Sequence, residues 1–270
     1  MKKNTLLKMS DEQYFSLDYL SSSDVRLFAS SLTPKHFLFT KEEKEPTDLM
    51  NFGTLVHVLL LSPELFDERF FIISDETRRT EKLKQEVGDK IIIKNKELEA
   101  AKTCVANIHA HSEAARLFSG SLFEQVILFD EPFYKTESKA KLDGINVDKN
   151  YIFDIKTTSD ISFDGFYRTI FDTNLVLQAA FYKIAAESCF QDKNFDFYFI
   201  AVENKSPHLC NVFKLSFQDW FLIFEALQDK INCFLKAKKQ NFDISFSEVY
   251  EFFNCPNFWT EKINKKYLVF

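Results

Sequence analysis

Long apolar runs and turn-forming residues are both scarce in this chain of 270 residues. It contains 5 glycines and 6 prolines, and no stretch reaches the roughly 18 consecutive apolar residues that a membrane-spanning helix needs. The apolar patch near the N-terminus, Leu6–Leu7, is too short for a secretion signal. On these absences we predict a cytoplasmic protein.

Closely spaced cysteine pairs are also missing. Five cysteines lie at positions 104, 189, 210, 233 and 255, and no two of them form a C-x-x-C pair. This spacing argues against a zinc ribbon and against a disulfide framework. We therefore expect the thiols to act as small buried hydrophobic groups.

Basic residues are outnumbered by acidic ones, 34 to 40, which gives a formal net charge of −6. Phosphate binding depends on lysine and arginine, so this balance does not favour a nucleic-acid partner. It does not exclude one either, because a local basic groove can coexist with an acidic exterior. With 46% hydrophobic residues, the chain has the composition of a globular protein and can bury a substantial core.

The most informative stretch is a predicted strand at 151–156, which follows a turn signal at 148–150. Alternation along a strand puts Asp154 and Lys156 on one face and the larger apolar residues on the other. Asp143 lies on the preceding predicted strand, across the turn, where it can bring a second carboxylate to the same place. Two carboxylates at one point repel each other unless a cation lies between them.

Three further residues are candidates for the same site. His57 lies on a predicted helix with a broad apolar face, where a histidine is more often a satisfied core residue than a ligand. Gln178 and Tyr182 are four residues apart on a later predicted helix and so share one face. Taken alone, they fit a boundary pair between core and solvent. Beside an acidic site, they are typical of donors to a phosphate or a base.

These elements, in this order, resemble the core of the PD-(D/E)xK nucleases. The amide–phenol pair on the helix resembles the RecB-type branch of that superfamily, and the whole set is most similar to the catalytic domain of exonuclease VIII (RecE-type). The likeness covers roughly residues 21 to 217. Its elements in chain order are Ser21-Ser22-Ser23, Gly53-x-x-x-His57, Asp143, Asp154-Ile155-Lys156 and Gln178-x-x-x-Tyr182.

The resemblance implies an α/β fold with a restriction-endonuclease-like core, that is, a mixed and mostly antiparallel central sheet flanked by helices. It implies a single nuclease domain over 1–270, made of a lead-in with short helices (1–48), a catalytic core (49–217) and a C-terminal helix and tail (218–270). The role of the last thirty residues stays open between packing on the core and mediating oligomerisation.

The resemblance also implies a site for Mg²⁺, with Mn²⁺ as a possible replacement. Its ligands would be Asp143, Asp154, the carbonyl of Ile155 and His57, and Lys156 would orient the attacking water or stabilise the transition state. Gln178 and Tyr182 would position the substrate. Glu124 is either an exposed acid on an alternating strand or an outer contact to the metal or its water. The late cysteines are too scattered for the iron–sulfur cluster of some RecB-type nucleases, so we predict no cluster.

The implied activity is hydrolysis of double-stranded DNA from its ends, 5′ to 3′, in phage or prophage recombination. A ring-shaped homo-oligomer and a single-strand annealing protein as partner are implied with it. Two alternatives remain: a RecB-type endonuclease or repair nuclease, and a DNA-binding or assembly module with an inactive nuclease fold. The second is disfavoured because every expected catalytic position is filled.

Overall fold

The computed structural model describes residues 2–43, 46–77, 80–216, 218 and 220–245. Its strands are β1 (Leu6–Leu7), β2 (Leu20–Ser21), β3 (Phe70–Ile73), β4 (Ile91–Lys94), β5 (Leu122–Asp130), β6 (Glu137–Asn146), β7 (Tyr151–Thr158), β8 (Asp196–Glu203) and β9 (Cys210–Leu215). Its helices are α1 (Asp11–Ser16), α2 (Ser22–Ser30), α3 (Pro34–Glu43), α4 (Asp48–Leu61), α5 (Phe66–Arg69), α6 (Glu81–Val87), α7 (Asn95–Ala110), α8 (Ser112–Phe118), α9 (Phe163–Asp172), α10 (Leu175–Cys189) and α11 (Trp220–Lys238).

Within the described residues, seven strands form one sheet in the order β1-β5-β6-β7-β8-β9, with β2 paired to β6. The pairs β7–β8 and β2–β6 are parallel, and the other neighbours are antiparallel. This confirms the predicted mixed, mostly antiparallel sheet. β3 and β4 form a separate two-stranded parallel sheet.

One strand is placed differently from the prediction. The sequence predicts strands at 195–202 and 211–215 as antiparallel additions at the sheet edge, but β8 lies between β7 and β9 and runs parallel to β7. The connection from β7 to β8 contains both α9 and α10, which gives the length that a crossover between parallel strands requires. β9 is the antiparallel edge strand.

Helices cover both faces of the central sheet. One buried cluster joins residues of α2, α9, α10 and α11 to one face, and a second joins α4, α7 and α8 to the other. Alternation along β7 divides its side chains between them, because Ile152 belongs to the first cluster and Phe153 and Ile155 to the second. The predicted faces of this strand are therefore confirmed.

The sheet splits between β6 and β7. These strands pair at three positions, from Asn146↔Tyr151 to Gly144↔Phe153, and the ladder then stops. The next position in the same register would place Asp143 opposite Asp154. Farther along β6, β2 pairs with Ser138 and Lys139 on the side that β5 leaves free. The two acids therefore lie where the sheet opens.

The start of the predicted lead-in contributes two short strands, β1 and β2, to this sheet. Leu6 of β1 pairs with Ile127 of β5, and Leu20 of β2 pairs with Ser138 of β6. Between them, Ser10 caps α1 through a reciprocal bond with Gln13. Strands of two residues have no measurable alternation, so their presence depends on the partner strand and not on local sequence.

Within the described ranges, no helix is long and apolar enough to cross a membrane. The prediction that the last thirty residues pack on the core or mediate oligomerisation concerns residues 241–270. Of these, 246–270 lie outside the described part of the chain.

Candidate active site

Asp154 is the most buried charged group at the split, with 2% of its surface exposed. One carboxylate oxygen, Oδ2, forms an ion pair with the ammonium of Lys156, which lies two residues further along the same strand face. The other, Oδ1, accepts a hydrogen bond of 2.9 Å from Nε2 of Gln178. The strand alternation thus brings the acid and the lysine together as the sequence predicts.

Asp143 lies across the split and touches the backbone of β7. Its Oδ2 accepts a 2.7 Å hydrogen bond from the amide of Ile155 and lies 3.7 Å from Nδ1 of His57. The other ring nitrogen of His57 is 2.9 Å from the carbonyl oxygen of Ile155, so this nitrogen carries a proton and donates it to the carbonyl. The predicted candidates His57, Asp143 and Ile155 are therefore in mutual contact.

Burial dominates the electrostatics of Asp143. Loss of water raises its pKa from 3.8 to about 6, and Asp154 adds to the rise, while His57 and Lys156 oppose it. The carboxylate is therefore poorly compensated by the protein alone. A positive ion at this place would favour its charged form.

Gln178 and Tyr182 face the acids from α10, as their spacing predicts. Nε2 of Gln178 donates to the Tyr182 hydroxyl at 3.0 Å as well as to Asp154. Burial, and then the charge of Asp154, raises the pKa of Tyr182 well above its usual value. A hydrogen bond from Ser22 to the phenol opposes that rise, so the serine segment at the start of α2 touches the site.

Arg26 belongs to the same network, although the sequence reasoning missed it. Its Nη1 donates to Oε1 of Gln178 at 2.9 Å, and its Nε donates to the carbonyl of Thr173 at 3.1 Å. Because arginine only donates and a carboxylate only accepts, Arg26 and Asp154 together fix which end of the Gln178 amide faces each of them. In the sequence, Arg26 is one more cation on a short helix, and its nearness to the serine segment is the signal that could have indicated it.

Glu124 lies on β5 beside Asp143 and has an unusual backbone. Its φ is 52°, in the left-handed region that a glutamate rarely adopts, and its neighbours Phe123 and Gln125 pair with the residues flanking Asp143. Its carboxylate forms an ion pair with Lys141. Both alternatives predicted for Glu124, an exposed-face acid and an outer metal contact, stay predictions.

A cleft of about 610 Å³ opens at the split in the sheet. Of the site residues, those that line it are His57, Glu124, Asp143, Ile155, Lys156 and Tyr182, while Asp154, Gln178 and Arg26 lie behind this lining. The α4 side of the cleft is formed where Gly53 approaches β7. A Cβ atom at Gly53 would lie 3.2 Å from Oγ1 of Thr157, which shows how closely the helix approaches the strand. A cleft of about 690 Å³ elsewhere on the surface, around Lys183 and Trp220, is lined by none of the predicted site residues.

The donors at the split suit a hard divalent cation by their chemistry, because they combine carboxylate and carbonyl oxygens with one imidazole. Within the described residues, Asp154 Oδ2 is buried without a hydrogen bond and forms an ion pair with the Lys156 ammonium. However, no three His, Cys, Asp or Glu groups of the described chain stand together in ligating position. As they stand, these groups contact one another, so the metal ligands stay predictions.

The PD-(D/E)xK fold class is defined by an α/β fold whose central sheet splits between two strands that each carry an acid. A lysine follows the second acid by two residues. A protein-family model for this class matches residues 21–254. The chain belongs to the family described as "PDDEXK-like domain of unknown function (DUF3799)".

A search of solved structures gives a match of the same fold. The chain is similar to a protein from Eubacterium rectale described as a "Putative exonuclease", with a TM-score of 0.63 and 13% sequence identity. The match covers 91% of this chain and 97% of that one. A search of curated proteins finds no significant match.

Proposed function

We propose that this protein is a metal-dependent deoxyribonuclease that hydrolyses phosphodiester bonds of double-stranded DNA from its ends. The observation that carries the proposal is the contact of Asp154 with Lys156 beside Asp143, in an open cleft at the split of the sheet. Family membership supports the nuclease class. The description of the Eubacterium rectale protein favours an exonuclease over an endonuclease.

The residues that would hold the divalent cation are Asp143, Asp154, the carbonyl of Ile155 and His57, with Glu124 in an outer position. When bound, Mg²⁺ or Mn²⁺ would lower the pKa of a bound water and neutralise charge that develops on the phosphate. His57 would serve as a ligand through a ring nitrogen that carries no proton, and its Nε2 lies 2.9 Å from the carbonyl oxygen of Ile155.

Lys156 would supply the fixed positive charge of the reaction. Its ammonium is held by Asp154 and borders the cleft, where it can orient the attacking water or stabilise negative charge in the transition state. Tyr182 borders the cleft, and its protonated hydroxyl can donate a hydrogen bond to substrate at neutral pH. Gln178 holds both Asp154 and Tyr182 in place.

The more specific parts of the proposed function rest on the resemblance to RecE-type enzymes. These are the 5′-to-3′ direction, a role in phage or prophage recombination, a homo-oligomeric ring and a single-strand annealing partner. The order of the motifs supports the RecE-type assignment. Digestion of DNA labelled at either end would determine the direction.

The decisive experiment compares linear and covalently closed double-stranded DNA, each with Mg²⁺ and with EDTA. We expect Mg²⁺-dependent loss of the linear DNA while the closed circle stays intact. Cutting of the closed circle would identify an endonuclease. If a folded protein cuts neither substrate with Mg²⁺ or Mn²⁺, the nuclease proposal is wrong and an inactive DNA-binding or assembly module is favoured.

Replacing Arg26 by methionine is expected to lower kcat on linear DNA by about tenfold with little change in KM, because Gln178 loses the partner that orients its amide. Gln178→Ala should lower kcat as well. If Arg26 acts through Gln178, the double variant should lose no more than Gln178→Ala alone. Multiplied losses in the double variant would show that Arg26 acts independently of Gln178.

A further inference from the structure

A network of alternating charges lies beside the cleft, and three of its members, Arg69, Lys141 and Glu124, line it. Asp11, the first residue of α1, contacts two cations: its Oδ1 lies 2.7 Å from Nζ of Lys141, and its Oδ2 forms an ion pair with the guanidinium of Arg69. Lys141 also forms an ion pair with Glu124. The network links α1, α5, β5 and β6, so residues far apart in the sequence meet at one point.

The two cations of this network border the same cleft as the candidate active site. Arg69 and Lys141 line the cleft together with Asp143 and Lys156, whereas Asp11 does not. Lys141 is two residues before Asp143 on β6 and projects from the same face of the strand. The side chains of Arg69 and Lys141 keep 29% and 23% of their surfaces exposed, so a ligand in the cleft can reach both.

The carboxylate of Asp11 bridges these cations as an oxyanion ligand would. It presents one oxygen to each cation, and a backbone phosphodiester offers the same pair of acceptor oxygens with the same single negative charge. The anchoring of α1 does not depend on Asp11 alone. Lys139 donates hydrogen bonds to the carbonyls of Tyr14 and Leu17, at 2.8 and 2.6 Å, which holds the other end of the helix on β6. Rotation of the Asp11 side chain alone can therefore release Arg69 and Lys141 from Asp11, while Lys141 keeps its ion pair with Glu124.

We propose that Arg69 and Lys141 form a subsite for a backbone phosphate of the DNA strand, and that Asp11 occupies this subsite when DNA is absent. The inference rests on the proposed function, since it takes DNA as the substrate. DNA binding exchanges the Asp11 carboxylate for a phosphate, and the released aspartate stays in the first turn of α1, where the helix dipole favours a negative charge. Glu124 keeps its contact with Lys141 during the exchange.

The sign of the Asp11 effect separates this role from a structural one. If the network only anchors α1, removing the charge of Asp11 weakens the anchor and cannot improve DNA binding. If Asp11 competes with phosphate, Asp11→Asn must bind DNA more tightly than the wild type. Asparagine keeps the size and one acceptor oxygen, so the change is mainly one of charge.

The experiment measures binding of a fluorescent linear duplex by anisotropy over a series of salt concentrations, in EDTA so that no cleavage occurs. Asp11→Asn is expected to bind about three- to tenfold more tightly than the wild type at low salt. Arg69→Gln should bind more weakly, and the slope of log K against log salt should fall by about 1, as for the loss of one phosphate contact. Lys141→Gln should likewise lower the affinity for the duplex and reduce the slope.

The matched control is Lys214→Gln, which removes the same charge from edge strand β9, where Lys214 pairs with Asp196. It should leave the affinity and the slope near wild-type values. If Asp11→Asn binds no more tightly than the wild type, or if Arg69→Gln changes the slope no more than Lys214→Gln, the subsite does not exist although DNA binding stands. If the folded wild type binds no duplex at any salt, the proposed function fails and this inference with it.

Discussion

Replacing Lys156 by alanine is expected to slow the cleavage of linear DNA by at least about a hundredfold. The ammonium is the positive charge nearest the two acids on the reactive face of β7, and its position is fixed by Asp154. Alanine removes both the charge and the hydrogen-bond donors. The measurement is the initial rate on linear double-stranded DNA at saturating Mg²⁺, with circular dichroism to confirm folding.

Lys214→Ala provides the comparison for this loss, because Lys214 is exposed on the edge strand and does not line the cleft. It should cut at close to the wild-type rate. Lys156→Ala should still bind the duplex, since other cations border the cleft. A folded Lys156→Ala protein that keeps its rate within about twofold of the wild type would show that this lysine takes no part in the chemistry.

Replacing Asp143 by asparagine is expected to make the metal-free protein more stable, by on the order of 2 kcal/mol at neutral pH. Asparagine can still accept the hydrogen bond from the Ile155 amide but carries no buried charge. The effect follows from the pKa of Asp143, which burial raises from 3.8 to about 6. Folding therefore opposes the ionisation of this carboxyl.

The stability that Asp143→Asn gains over the wild type depends on pH, and the sign of this dependence follows from the pKa of Asp143. Between about pH 4 and pH 6 the folded wild type binds a proton that the unfolded chain has released, so Asp143 makes the free energy of unfolding fall as pH rises. Above about pH 6 the folded protein holds Asp143 fully ionised, and the destabilisation caused by this buried charge no longer grows. The advantage of Asp143→Asn should thus be absent near pH 4 and grow until about pH 6. Urea unfolding of both proteins in EDTA at several pH values measures this difference in the free energy of unfolding.

Adding Mg²⁺ should reverse the order of the melting temperatures of the wild type and Asp143→Asn. The wild type should gain melting temperature by mass action, and Asp143→Asn should gain less because it lacks one charged ligand. Asp154 is less suitable for this test, because it is already paired with Lys156 and Gln178, and its loss would leave the half-buried ammonium of Lys156 without its partner. An equal response of both proteins to Mg²⁺ would show that Asp143 is not a ligand.

The centre of the site was predictable because it depends on local periodicity. Alternation along β7 places Asp154 beside Lys156, and helical spacing places Gln178 beside Tyr182, whatever the rest of the chain does. The helices that carry His57 and the pair Gln178 and Tyr182 were predictable for the same reason. The meeting of Asp143 with this group required in addition that β6 and β7 pair, which the turn at 148–150 indicated.

The surroundings of the site were not predictable, because they depend on contacts between distant segments. Arg26 meets Gln178 across 152 positions, and Lys141 meets Asp11 across 130. No spacing rule connects such residues. The left-handed backbone of Glu124 is equally invisible in the sequence, since the residue type disfavours it and only the surrounding sheet imposes it.

The pairing of β1 and β2 with the sheet sets the order in which the protein can fold during synthesis. Leu6 and Leu20 pair with Ile127 and Ser138, which a ribosome adds more than a hundred residues later. At about 5–20 residues per second, the N-terminal segment waits for at least several seconds before its partner strands exist. Since Asp11, between these two strands, pairs with Lys141 of β6, the surroundings of the cleft are completed only after the hairpin of β5 and β6 has left the ribosome.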